Sequence, residues 1–134
     1  MNQLESLFGP PISVYTRAQA LADGVLVDVT KWASNGPDGM RGGFRLPVAF
    51  TAGLWSDLLA IPASQSHQSM RGRAHDVLWL AALAARGRPD DHHIGFQVRM
   101  RITGTRKLLE RYIVDIGPGD DGEPVVTIGP ASDF

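Results

Sequence analysis

At 134 residues and a formal net charge of -1, the chain lacks the strong basic excess that coating a nucleic acid requires, although a local basic face stays open. It contains no cysteine, which excludes disulfides, thiolate chemistry and cysteine-ligated zinc. Its 43% apolar and 20% charged residues are those of an ordinary globular domain, and the length suits one domain spanning 1–134. Met1 to Glu5 shows neither the cationic nor the apolar part of a secretory leader. The longest apolar run, Val77 to Ala85, falls far short of the ~20 residues that cross a bilayer. The expectation is a cytoplasmic protein with no membrane partner.

Residues 1–11 read as a tail closed by Gly9-Pro10-Pro11. Thr16-Arg17-Ala18-Gln19 matches a capping box, in which the threonine hydroxyl and the glutamine side chain each satisfy the other residue's free amide. The helix it starts should reach Asp23 and stop at Gly24, which takes positive φ cheaply. Val25 to Val29 is apolar and β-branched, hence a short extended segment, and Thr30 caps one further helical turn through Ala33. Residues 35–43 form a flexible glycine-rich loop, because Asn35-Gly36-Pro37-Asp38-Gly39 and Gly42-Gly43 favour turns and resist helix.

Thr51 caps a helix carrying Leu54, Trp55, Leu58 and Leu59, which Ile61-Pro62 ends. A long helix follows from about Gly72 to Arg86, with Gly87 as its C-cap. Its stripe of Val77, Leu80, Ala81 and Ala84 is broad enough to pack on a sheet. Phe96 to Thr103 alternates apolar and polar residues, so Phe96, Val98, Met100 and Ile102 point inward while Gln97, Arg99, Arg101 and Thr103 point outward. Leu108–Ile116 and Pro124–Ile128 complete three consecutive antiparallel strands. The predicted class is α+β, with helices packed on a C-terminal three-stranded antiparallel meander.

Charge is unevenly placed on this meander. Arg99, Arg101, Arg106, Lys107 and Arg111 crowd its start, and Asp115, Asp120, Asp121 and Glu123 follow. Such a dipole bears on partner choice more than on fold. Arg99, Arg101, Arg106 and Lys107 are the candidate partner-binding residues, since guanidinium forks suit phosphate and carboxylate. The alternative is a solvated stripe, or one neutralised internally by Glu110 or Asp115.

Motifs that would imply chemistry are weak. Gly117 to Gly122 matches G-x-G-x-x-G, but two carboxylates sit inside it and a β-branched run follows rather than a helix, so it reads as a turn. Asp90-Asp91-His92-His93 has metal-competent residue types, yet neighbours on an extended segment point to opposite sides. His75 and Asp76 would complete a site only if the long helix packed beside that loop. No serine-nucleophile motif occurs. No catalytic residue, metal site or cofactor is therefore assigned. Trp32, Trp55 and Trp79 read as core residues.

Several segments together resemble a known family. They are Tyr15 to Ala20, Asp23 to Val29, Pro47 to Thr51 with Trp55, Gly72-Arg73 with Asp76 to Trp79, and Gly117 to Ile128. They resemble an uncharacterised domain-of-unknown-function family of phage, plasmid and integrative-element accessory proteins. The resemblance covers most of the chain in order, departs from the family at the glycine-rich insertion from Asn35 to Gly43, and carries no catalytic residues. It implies a small mobile-element accessory protein that binds, and inhibits, a host protein or nucleoprotein complex in the manner of an anti-defence factor. The alternative is a small metal-dependent hydrolase or transferase using His75, Asp76 and the His92–His93 loop. A direct DNA binder is a third reading, which predicts steep salt dependence.

Overall fold

The computed structural model describes residues 15–34, 39, 43–105 and 109–134. Helix α1 (Arg17–Asp23) opens as its capping box dictates: Thr16 accepts from the Gln19 amide, Gln19 accepts from the Thr16 amide, and Gly24 closes the helix at φ 76. Strand β1 (Leu26–Asp28) follows, then a single turn of helix, α2 (Thr30–Ala33). Thr30 begins that turn rather than capping it. Val29 is the cap, and the Asp28 carboxylate accepts from both the amide and the hydroxyl of Thr30.

The sheet has five strands, not three. Its order is β1, β2 (Val48–Thr51), β5 (Pro124–Pro130), β4 (Leu109–Pro118) and β3 (His93–Arg99). All pairs are antiparallel except β2 with β5, which is parallel and sets Phe50 beside Ile128. The expected meander is present as β3–β4–β5, but β1 and β2 extend it past β5. Strand β2 escaped the sequence because all four of its residues are buried, so no alternation marks it. The prolines of β5 fit because they stand at its two ends.

Two helices cover one face. Helix α3 (Ala52–Leu59) starts at Thr51, whose hydroxyl accepts from the Leu54 amide. Helix α4 (Met70–Gly87) starts two residues earlier than expected, capped by Ser69. It ends later as well. Gly87 is the last helical residue and Arg88 is the cap, its amide bonded to the Ala85 carbonyl. Val77, Leu78, Ala81, Ile94, Val98, Met100, Ile102, Tyr112 and Val114 form one buried cluster with Phe50, Leu54, Leu58 and Ile128. Leu80, Ala84 and Phe96 pack against it half-buried, so the matched periods of α4 and β3 do meet. Tyr112 is core, as expected, and its hydroxyl donates to Asp57 at 3.0 Å.

Among the described residues, no helix is long and apolar enough to cross a membrane. The 1–11 tail lies outside the described residues, and so does the 35–43 loop except for Gly39 and Gly43.

Candidate partner-binding surface

The outward positions of β3 and their neighbours on β4 form one surface. Arg99 lies opposite Leu109, Gln97 opposite Arg111, Gly95 opposite Ile113 and His93 opposite Asp115. Because side chains alternate, these residues face away from the helices while Ile94 and Val98 enter the core. Arg99, Arg101 and Arg111 are exposed. Arg99 and Arg111 are diagonal neighbours, roughly 7–8 Å apart by sheet geometry, where like charges repel. Arg106 and Lys107 lie outside the described residues.

Neither acid that the sequence offered to neutralise this stripe pairs with it, although Asp76 of α4 lines a groove with Arg99. Glu110 pairs with Val98 and so belongs to the helix-covered face. Asp115 is held by His93, with Nδ1 2.9 Å from Oδ1. Arg88 pairs with Asp91, and His75–Asp76 and His93–Asp115 are within contact distance; none of these contacts includes Arg99, Arg101 or Arg111.

The acidic pole of the sequence dipole stays at the surface, where two of its carboxylates also accept from backbone amides. Asp120 accepts from the amides of Arg17 and Ala18 at 2.7 and 3.0 Å, holding the first turn of α1. Glu123 accepts from the Asp121 amide. The Arg17 side chain crosses the outer face of β5, donating to Thr127 Oγ1 at 2.7 Å and to the Val126 carbonyl at 2.9 Å. Burial lowers the Arg17 pKa, and the nearby Asp28, Asp120, Glu123 and Asp115 oppose that shift. Both poles are exposed, Arg99, Arg101 and Arg111 at one end and Asp120, Asp121 and Glu123 at the other.

A shallow groove of about 320 Å³ runs where the start of α4 meets the end of β3, lined by His67, Gln68, Arg73, His75, Asp76 and Arg99 among others. Arg73 is buried there, and its guanidinium donates to Gln68 Oε1 and to the carbonyls of Asp57, Ala60 and Arg101. Desolvation lowers its pKa. His75 and Asp76 sit 3.6 Å apart on the solvent side. The His92–His93 loop does not join them. His93 lies six residues back along β3 from Arg99, about 20 Å by strand rise. Among the described residues, no group of three or more His, Asp or Glu could hold a metal ion.

The glycine-rich match is a hairpin turn. Gly122 has φ 83 and the Gly119 amide bonds the Glu123 carbonyl. Trp32 stacks on Trp55 with ring centroids 5.9 Å apart at the rim of the core, whereas Trp79 is 42% exposed on α4 rather than core. Sequence reasoning left Arg111 out of the candidate set; its pairing with Gln97 puts it there, and register is not written in local spacing.

A family model described as a family of unknown function (DUF6573) matches residues 8–133. The chain belongs to the DUF6573 family. No curated protein and no solved structure matches the chain. Membership spans the whole described fold of this DUF6573 chain, from α1 to β5, and it brings no assigned activity.

Proposed function

We propose that this DUF6573 chain is a non-enzymatic binding protein that docks a host protein or nucleoprotein complex through the outer face of β3 and β4. One observation carries the proposal. Arg99 and Arg111 are exposed diagonal neighbours on that face, Arg101 is exposed just beyond β3, and none of the three is in an ion pair among the described residues. Exposed like charges gathered on one part of the surface favour an anionic partner, which lowers their mutual repulsion. Arg106 and Lys107 extend the same basic run in sequence. The resemblance to accessory proteins of phages, plasmids and integrative elements supports an anti-defence role inside the bacterial cytoplasm, where covering a host complex is enough to inhibit it.

The test is a pull-down from host lysate with the wild type and with the Arg99→Glu/Arg101→Glu double variant. The wild type retains a specific partner whose affinity falls with salt. The variant loses that partner and keeps its melting temperature, because exposed unpaired arginines contribute little to stability. A variant that captures the same partner with the same affinity overturns the proposal.

A further inference from the structure

We infer that the free edge of β3 is a strand acceptor that takes up an extended acidic segment of a partner protein as a sixth strand. The inference rests on the basic-face reading and specifies the shape of what that face binds.

Among the described residues, strand β3 ends the sheet order and pairs with β4 alone. The Ile116 amide donates to the His92 carbonyl at 2.7 Å, which fixes the phase of the ladder. His92, Ile94, Phe96 and Val98 therefore turn their backbone groups toward β4, and His93, Gly95, Gln97 and Arg99 turn theirs to the open edge. No backbone partner for these four residues occurs among the described residues. Just beyond, the same edge is closed: the Arg101 carbonyl accepts from Arg73, and the Thr103 amide donates to the Ala60 carbonyl. The open stretch is about 20 Å long, room for one ordinary strand.

The side chains beside that edge select the occupant. On the outer face an added strand lies next to Gln97 and Arg99, with Arg111 one strand further, so its side chains on that face are acidic. A second copy of β3 would bring His93, Gln97 and another Arg99, and no acid. A second β3 offers these arginines no complementary charge, and the basic face selects an acidic strand. On the other face, the groove places Gly72 and Asp76 of α4 beside Arg99. One and two turns on, Leu80 and Leu83 follow on the same side of the helix, Leu83 being 46% exposed, and Phe96 is half-buried beneath. The fitting segment alternates acidic and apolar residues.

The probe is a synthetic peptide of about eight residues alternating Glu and Val, with a control of the same composition in two blocks. Calorimetry should show the control binding roughly tenfold more weakly or worse, and hydrogen exchange should slow at Gly95, Gln97 and Arg99 when the alternating peptide is bound. Gln97→Pro removes an amide that points away from β4, so the fold survives and binding drops by about tenfold or more. If that variant melts lower, exchange on the unmutated protein decides alone. Binding unchanged in Gln97→Pro, or no protection at those amides, overturns the inference. If Arg99→Glu weakens both peptides equally while Gln97→Pro weakens neither, the strand acceptor falls and the basic face stands. If neither variant matters, or neither peptide binds, both readings fall. A doubled mass with the same amides protected in the absence of peptide would assign the edge to a second copy and overturn the acidic-segment proposal.

Discussion

Arg73 donates from Nη2 to the carbonyl oxygen of Arg101 at 2.5 Å, tying the first turn of α4 to the chain just past β3. The same guanidinium reaches the Asp57 and Ala60 carbonyls at the end of α3, each of which also accepts from a backbone amide. Arg73→Met should cost about 1–3 kcal/mol, since it removes the donor to the Arg101 carbonyl and the tie between α3, α4 and the end of β3. Arg73→Lys should recover little, because an ammonium cannot spread its donors in a planar fork. Urea denaturation of the three proteins checks both statements.

Thr51 and Gly129 form a second such contact, between the cap of α3 and β5. A Cβ at Gly129 would overlap the Oγ1 and Cγ2 atoms of Thr51. Gly129→Ala should destabilise by about 1–3 kcal/mol. Thr51→Ala alone should cost about 1 kcal/mol through the lost cap. In the double variant the alanine meets less, so the two costs should sum to more than the pair together. A double-mutant cycle reads that coupling directly.

Asp57 gives stability a pH dependence of known sign. Burial is the largest influence and raises its pKa above the ordinary 3.8, the Tyr112 hydrogen bond and the Arg73 charge lower it, and Asp133 adds to the rise. The folded protein therefore holds this proton more tightly than the unfolded chain. From this group, stability falls as pH rises through the window above 3.8. Asp57→Asn keeps an acceptor for Tyr112 and removes the charge. The variant should match or exceed the wild type near neutral pH, and that advantage should vanish once pH drops below the unfolded value. Denaturation at a series of pH values tests it; a variant weaker at neutral pH would mean that the attraction of Arg73 outweighs burial.

Asp120 anchors α1 from more than a hundred residues away. Asp120→Ala should cost about 1 kcal/mol, as loss of an ordinary helix cap does. Hydrogen exchange at the Arg17 and Ala18 amides should quicken ahead of the rest of the sheet. Exchange rates equal to those of the wild type would show that Thr16 and Gln19 hold the helix unaided.

What could be read from the chain beforehand follows from the range of each interaction. The capping box at Thr16, the stop at Gly24, the Thr51 cap and the alternation through Phe96 and Val98 are local patterns, and each has its expected structure. Strand β2 has no local signature, and its partner Ile128 lies 78 positions after Phe50. Arg73 sits in Met70-Arg71-Gly72-Arg73, which reads as a solvated helix start; only the docking of α3 and Arg101 buries it. The sequence placed Arg99 and Arg101 outward, and the structure does so too, but whether Glu110 or Asp115 neutralised them depended on strand register and on His93. The dipole seen in the sequence persists at the surface, where Asp120, Asp121 and Glu123 are exposed, although Asp120 also holds the amides of α1.

The position of β5 has a consequence for how this protein is made. The strand that stands in the middle of the sheet comes after all the other strands in chain order. Until it leaves the ribosome, the β1–β2 pair and the β3–β4 hairpin have no shared scaffold, and α3 and α4 have nothing continuous to cover. The topology is one of high contact order, in which long loops close before the parallel pairing offsets their entropy. Folding of the sheet is thus deferred until β5 has been made. A nascent chain arrested before Pro124 should remain open to protease at Phe50 and Tyr112, and one arrested well beyond Pro130 should be protected at both.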